Sequence, residues 1–253
     1  QGAAEEQEDD DGDLFSFSFE ELIEEAEAAH HAGDVRYATE LYEEALAINP
    51  RDLRTLTGFA MLMRMQGYLD EAEALYLEAI SIDPTFPDAL CGYGLLLRTI
   101  DRHEEAEDMY KRALRHEPDH VNTLCSYGAF MHTIRDDPDE AERMYTAALR
   151  IDPTHVDSIC NYAALKHMVR KDYAAAEQMY RMGLATNPDH VGILYNYSSL
   201  LEELDPDDER AKEMYDAAMN IIQAISARRD MGFGQEEEGE GEEEEGDGEE
   251  EHE

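Results

Sequence analysis

The chain has 253 residues, and its 62 acidic residues against 20 Lys and Arg give a formal net charge of −42 at pH 7. Seven acids lie in residues 1–13 and thirteen in 236–253, so 62 − 7 − 13 = 42 acids remain between them and the middle stays near −22. A field of this sign repels phosphate backbones and anionic membranes, which argues against nucleic acid or lipid as the main partner.

The apolar residues are spread too thinly for a membrane helix, which needs about twenty in succession, and the acidic N-terminus lacks a signal-peptide pattern. The three cysteines are odd in number and well separated, which is typical of a reducing compartment. We therefore expect a protein of the cytoplasm or nucleus. We also expect it to be monomeric. The chain begins at Gln1 rather than Met, which leaves open whether a leader precedes it.

Order is predicted to begin just after an acidic N-terminal segment. Residues 1–13 have almost nothing to bury and are expected to be disordered. Ser18 can cap a helix whose third residue, Glu21, reaches back to the cap. The sequence therefore predicts a helix that begins at Phe19.

A ten-residue pattern recurs along most of the chain at a fixed interval. Each copy carries an alanine, a tyrosine four residues later and a small residue three further on: Ala38/Tyr42/Ala45, Ala72/Tyr76/Ala79, Ala106/Tyr110/Ala113, Ala141/Tyr145/Ala148, Ala176/Tyr180/Gly183 and Ala211/Tyr215/Ala218. Successive tyrosines are 34, 34, 35, 35 and 35 residues apart. This period predicts a helical repeat array in which the six tyrosines form the core.

Each period reads as two antiparallel helices. The first carries an apolar residue, a large one and a small one on one face: Leu56/Phe59/Ala60, Leu90/Tyr93/Gly94, Leu124/Tyr127/Gly128, Ile159/Tyr162/Ala163 and Leu194/Tyr197/Ser198. The second holds the tyrosine pattern and ends at a proline, which cannot continue it: Pro50, Pro84, Pro118, Pro153 or Pro188. The predicted repeats are 19–52, 53–86, 87–120, 121–155, 156–190 and 191–220.

The last repeat lacks the closing proline, since Gln223 stands where it would fall. We expect one long terminal helix over about 208–229, with 221–230 capping the exposed end of the array. Beyond Gly232 and Gly234, the Glu/Gly-rich segment 234–253 is expected to be disordered.

This pattern resembles the tetratricopeptide repeat, whose 34-residue signature runs small-large-small through two helices and closes on proline. The third period carries it most fully, in Leu90, Tyr93, Gly94, Leu97, Ala106, Tyr110, Ala113 and Pro118. The signature tryptophan is absent, with Leu or Ile in its place. The resemblance implies an all-α, right-handed solenoid of about six helix-turn-helix repeats between disordered acidic termini.

In that family the first helices of successive repeats line a concave groove that receives a peptide or helix of a partner. Mapped on this chain, the groove has two rows of residues. One row holds Thr57, Cys91, Cys125, Cys160 and Tyr195, and the other holds His30, Arg64, Arg98, His132, His167 and Glu202. The resemblance thus predicts the partner-binding residues Arg64, Cys91, Arg98, Cys125, His132, Cys160, Asn161, His167 and Asn196.

Each row has a second, purely structural interpretation. The cysteines suit a small buried position that repeat duplication has copied. The cations of the other row could instead be paired with neighbouring Glu and Asp on so acidic a protein. A metal between the rows is disfavoured, because Cys125 and His132 lie two helical turns apart, about 10 Å along the axis.

No catalytic constellation, phosphate-binding loop or cofactor motif emerges, so neither enzymatic activity nor a cofactor or metal is expected. The lysines of the family's carboxylate-clamp co-chaperones are missing as well. The sequence predicts a protein–protein scaffold or adaptor. One alternative is an acidic chaperone for basic proteins such as histones or ribosomal proteins, acting through the tails. Another is a redox or metal sensor that uses the cysteine row and requires exposed thiols. The acidic tail could solubilise the chain, attract basic partners or cover the Arg/His row.

Overall fold

The computed structural model describes residues 17–233, with side-chain environments through residue 227, and this range contains twelve α-helices and no strand. The helices are α1 Phe19–Ala32, α2 Val35–Ile48, α3 Leu53–Gln66, α4 Leu69–Ile82, α5 Pro87–Thr99, α6 His103–His116, α7 Val121–Thr133, α8 Pro138–Ile151, α9 Val156–Met168, α10 Tyr173–Thr186, α11 Val191–Leu204 and α12 Glu209–Phe233. The segments 1–13 and 234–253, predicted to be disordered, lie outside the described residues.

Local sequence signals account for the helix ends. The predicted start at Phe19 is confirmed, because the Ser18 hydroxyl accepts from the Glu21 amide while the Glu21 carboxylate accepts from the Ser18 amide. The turns inside the first two repeats use Gly33 and Gly67 at φ +79° and +88°. The next three place a non-glycine residue in the left-handed region: Asp101, Asp136 and Lys171.

The arrangement of the helices defines an inner and an outer side. We call the odd-numbered helices α1 to α11 the first helices and the even-numbered ones the second helices. Neighbouring first helices contact each other along the whole array, whereas no contact joins neighbouring second helices in the described range. The array therefore curves with the first helices on its inner, concave side, which is the fold of an all-α solenoid.

Tyrosines form the core between the two layers. Those of the first five repeats are at most 1% exposed, namely Tyr42, Tyr76, Tyr110, Tyr145 and Tyr180. Glycine is required beside two of them, because a Cβ at Gly94 or Gly128 would lie 2.7 Å from the ring of the following tyrosine. The prediction that all six tyrosines are core is wrong for Tyr215, which is 45% exposed because no further repeat covers it.

The C-terminal helix is longer than any other. It begins near the predicted residue 208 and continues to Phe233. Its first part packs on α11, and the helix also contacts α2 in the first repeat. At a rise of about 1.5 Å per residue, a helix of this length spans about 37 Å. The helix thus connects the last repeat to the first.

Candidate partner-binding groove

The cysteine row lies beneath the concave surface. Cys91, Cys125 and Cys160 are 4%, 5% and 7% exposed, and all three are free thiols. Burial raises the pKa of the Cys125 thiol to about 11 and also raises the pKa of Cys91. Buried thiols of high pKa carry little thiolate at neutral pH, so they do not meet the requirement of a redox sensor. This environment is the one that the interpretation as small buried residues requires.

The two asparagines predicted to bind a partner contact this row. The Asn161 Nδ2 lies 3.5 Å from the Cys125 Sγ, and the Asn196 Nδ2 lies 3.7 Å from the Cys160 Sγ. Each amide thereby links a first helix to its predecessor. Both asparagines are half-buried, so part of each amide still faces the groove.

The Arg/His row divides into two parts, of which the N-terminal part is cationic. The first helices carry four Arg or Lys residues in all, and two of these are ion-paired: Arg54 with Glu27 at 2.6 Å and Lys166 with Glu142 at 2.7 Å. Arg64 and Arg98 have no carboxylate within 4.0 Å among the described residues. The ion pairing that the structural interpretation assumes is therefore missing for these two arginines.

The surroundings of Arg64 and Arg98 are aromatic and apolar. Both side chains are half-buried, and the Arg64 Nε is enclosed without a hydrogen-bond partner. Burial raises the pKa of the Tyr76 phenol to about 12, which the nearby Arg64 partly offsets. Met61 and Met65 stay 36% and 56% exposed on the same helix as Arg64. This half of the groove combines free positive charge with exposed thioether side chains.

The C-terminal part of the row carries no free cation among the described residues. The predicted site residue His167 is 2% exposed, and its Nε2 lies 2.9 Å from a carboxylate oxygen of Glu203. Hydrogen bonds from Tyr173 and His167 lower the pKa of Glu203 to about 2. Burial lowers the pKa of His132, which favours its neutral form. The groove is thus polarised, with positive charge at α3 and α5 and acidic groups at the end of α11.

A polar contact that the sequence analysis does not predict recurs between successive repeats. In four second helices a glutamate follows the pattern's alanine, accepts from the tyrosine twenty residues later and pairs with a more distant arginine. We call this the glutamate ladder: Glu73/Tyr93/Arg102, Glu107/Tyr127/Arg135, Glu142/Tyr162/Arg170 and Glu177/Tyr197/Arg210. The Ala-Glu pair recurs at the repeat period, so this signal was available.

Histidines form a second ladder at the starts of three first helices. His120, His155 and His190 precede α7, α9 and α11, and each Nε2 lies 3.1–3.2 Å from a side-chain oxygen of the preceding first helix. The acceptors are Asp88, Asn122 and Asp157. These contacts join the starts of neighbouring first helices from α5 to α11.

A membrane-spanning helix and a metal cluster are both absent from the described residues. None of the helices between residues 17 and 233 is long and apolar enough to cross a membrane. Within the same range, no group of three or more His, Cys, Asp or Glu side chains is arranged to hold a metal ion.

Family models match the middle of the chain. A model described as "TmcB, TPR repeats" matches residues 96–158, and two described as "Tetratricopeptide repeat" match residues 75–108 and 59–86. No curated protein sequence matches the chain. The matched segments include α5 to α8, which carry Arg98 and the first two cysteines of the row.

Solved structures share the fold at low sequence identity. PilF of Pseudomonas aeruginosa is 16% identical, with a TM-score of 0.57 over 83% of this chain and 92% of that one. A thermophilic TPR protein of Thermus thermophilus is 20% identical, with a TM-score of 0.65 over 73% and 99%. A chain of the APC/C hetero-tetramer Cut9-Hcn1 is 12% identical, with a TM-score of 0.68 over 85% and 43%. These likenesses concern the fold alone.

Proposed function

We propose that this chain, whose residues 59–158 match models of the tetratricopeptide repeat, is a tetratricopeptide repeat protein that acts as a non-enzymatic scaffold or adaptor. Its concave groove binds a segment of another protein. The groove residues for this role are those predicted from the sequence. Arg64, Arg98 and the half-buried asparagines act through their side chains, whereas the buried cysteines set the floor on which a ligand would lie.

The unpaired arginines support an acidic ligand. A half-buried guanidinium without a counter-charge has lost part of its hydration and gained no ion pair in return. A carboxylate placed between Arg64 and Arg98 would form charge-assisted hydrogen bonds with both. In a chain of net charge −42, the observation that carries this proposal is that two arginines on the described first helices have no carboxylate partner among the described residues.

The exposed methionines favour apolar side chains in the same ligand. Met61 and Met65 lie three residues before and one residue after Arg64 on α3, and methionine adapts its shape to varied partners. The ligand class proposed is therefore an acidic protein segment with interspersed leucine or phenylalanine. Such a ligand would bury apolar area against α3 while its carboxylates neutralise the two arginines.

A titration with defined peptides tests this function. The probe is a short fluorescein-labelled peptide in which Glu pairs alternate with Leu and Phe, followed by fluorescence anisotropy at about 50 mM NaCl. We expect the wild type to bind it and the double variant Arg64→Glu/Arg98→Glu to bind at least about tenfold more weakly, a change of about 1.4 kcal/mol. A peptide with Lys in place of Glu is expected not to bind.

A double variant on the outer face provides the matched control. Arg115→Glu/Arg150→Glu makes the same change in net charge at exposed residues of α6 and α8, and it should leave the affinity unchanged. Equal affinity of the wild type and the Arg64/Arg98 variant would contradict the proposal. Preferential binding of the Lys peptide, lost when the acids of the tail are neutralised, would favour the acidic chaperone instead.

A further inference from the structure

We propose that the acidic C-terminal segment 234–253 of this same chain occupies the cationic half of the groove, around Arg64 and Arg98, and competes there with the partner. The inference rests on the proposed function, because it assigns an internal competitor to the same site. It is carried by three observations: the charge of the surface, the composition of the segment and the path of α12.

The charge distribution leaves this segment few favourable positions. Thirteen of its twenty residues are Glu or Asp. Acidic residues face solvent on many second helices, for example Glu71, Glu78, Glu104 and Asp108, so the outer side repels it. On the first helices of the described range, the cations without a carboxylate partner are Arg64 and Arg98. The half-buried guanidiniums of α3 and α5 therefore offer the segment positive charge that no described carboxylate neutralises.

The composition of the segment makes it a weaker ligand than a true partner. Its residues are Glu, Asp, Gly, Gln and His, so it has no side chain to cover Met61 or Met65. It can neutralise the arginines but buries no apolar area against α3. A partner that carries both carboxylates and apolar side chains would displace the segment, because the partner also buries apolar area against α3 and the segment does not.

The path of α12 brings the segment to the correct repeats. Since α12 packs on α11 and also contacts α2, the helix that precedes the segment extends from the last repeat to the first. Twenty extended residues reach about 66–72 Å. Packed neighbouring helices lie about 8–10 Å apart, and α1, α3 and α5 lie side by side, so the segment is long enough to follow the groove past α3 to α5.

Paramagnetic relaxation in the full chain tests the placement. A nitroxide is attached to Cys in a Gly246→Cys variant, and the parent chain treated in the same way reports any labelling of the buried native thiols. We expect broadening of amide signals next to Arg64 and Arg98 at about 20 mM NaCl and its loss at about 500 mM NaCl, where the Debye length is only a few ångströms.

Variants and mixed samples make the result decisive. The broadening should disappear with Arg64→Glu/Arg98→Glu and persist with Arg115→Glu/Arg150→Glu. If the charge reversal unfolds the chain by circular dichroism, Arg64→Gln/Arg98→Gln takes its place. Absence of broadening in the wild type, or broadening unaffected by the groove variants, overturns the proposal. Broadening that arises between a labelled and an unlabelled molecule overturns the intramolecular placement.

The peptide titration separates this proposal from the proposed function. In the full chain with all thirteen tail acids changed to Gln or Asn, the affinity for the Glu/Leu/Phe probe should rise several-fold at about 20 mM NaCl and stay unchanged at about 500 mM. If the probe binds without tail broadening, the function stands and the internal competitor is rejected. If broadening occurs but the probe does not bind, the proposed partner class fails instead.

Discussion

In the first five repeats the pattern's tyrosine is buried because the following repeat covers it. Tyr110 packs against Tyr127 of the next first helix with ring centroids 5.7 Å apart, and it is 0% exposed. Tyr215 occupies the same place in the sequence pattern, but its one ring contact among the described residues is with the exposed Tyr195, at 6.2 Å. The same residue type at the same register position therefore differs in burial, because the array ends there.

This difference predicts unequal effects of one substitution at two equivalent positions. Tyr110→Ala should lower the free energy of unfolding by about 3–5 kcal/mol, because it removes a fully buried aromatic ring. Tyr215→Ala should cost less than about 1 kcal/mol, because the ring is already half in water. Urea denaturation followed by circular dichroism measures both. Similar losses at the two positions would contradict this account of the core.

The cysteine row shows what sequence could and could not determine at the scale of a residue. The regular spacing of Cys91, Cys125 and Cys160 was evident from the repeat period. Whether the thiols face the ligand or the interior depends on how close the neighbouring helices lie, which a linear pattern does not specify. Asn161 and Asn196 reach back over the two later thiols, a contact between residues 36 positions apart.

The glutamate ladder stabilises the contact between one repeat element and the next. Glu142 on α8 accepts from the Tyr162 hydroxyl and from the Lys166 ammonium, each at 2.7 Å, and pairs with Arg170 at 3.1 Å. The hydrogen bond from Lys166 is the main reason that the pKa of Glu142 lies below its usual value of 4.5. A carboxylate with three partners on the adjoining repeat resists separation of the two helices.

Neutralising this carboxylate should weaken the array. We expect Glu142→Gln to lower the free energy of unfolding by about 1–2 kcal/mol at pH 7, since charge-assisted hydrogen bonds are lost at a partly exposed site. The lowered pKa means that this contribution is present above pH 4.5 and is lost as the pH falls below it. The urea midpoints of the wild type and of Glu142→Gln, measured at pH 7 and at pH 4, test this. The difference between the two proteins should be smaller at pH 4.

An exposed glutamate provides the control for this ladder. Glu44 lies exposed on α2 and has no ion pair among the described side chains, so Glu44→Gln makes the same change in charge without breaking a described contact. Its midpoint should match that of the wild type at both pH values. An equal loss from the two substitutions would mean that the carboxylate of Glu142 acts only through net charge.

At the scale of the whole molecule, two electrostatic effects oppose each other. The ion pairs of the ladder and the first helices stabilise the fold, but exposed pairs are worth only about 0–1 kcal/mol each. The net charge of −42 destabilises every compact state through self-repulsion. Salt screens both effects, so its influence on stability reveals which one is larger.

We expect self-repulsion to be the larger effect. The thermal midpoint of the full chain should therefore rise between about 20 mM and about 300 mM NaCl, as the Debye length falls below the spacing of the surface charges. Differential scanning calorimetry gives the midpoint, and KCl should act like NaCl if screening is the cause. A midpoint that falls with added salt would show that the ion pairs dominate.

The sequence by itself determined the repeat period, the paired helices, the capped start at Phe19 and the buried tyrosines, because these depend on contacts within a repeat or between repeats of the same design. The periodic spacing also indicated which residues belong to each of the two groove rows. Such features depend on residues near each other in the sequence or recur in every repeat, so the pattern of one repeat predicts that of the next.

Only the tertiary structure decided how the residues of the two rows are buried and paired, and how the array ends. It placed the thiols beneath the surface and brought α12 against α2. Among the described residues, it paired Arg54 and Lys166 with carboxylates but not Arg64 and Arg98. Each depends on distances between helices far apart in sequence. The physical reason is that burial and ion pairing are properties of the packed superhelix, whose curvature is set jointly by all the repeats.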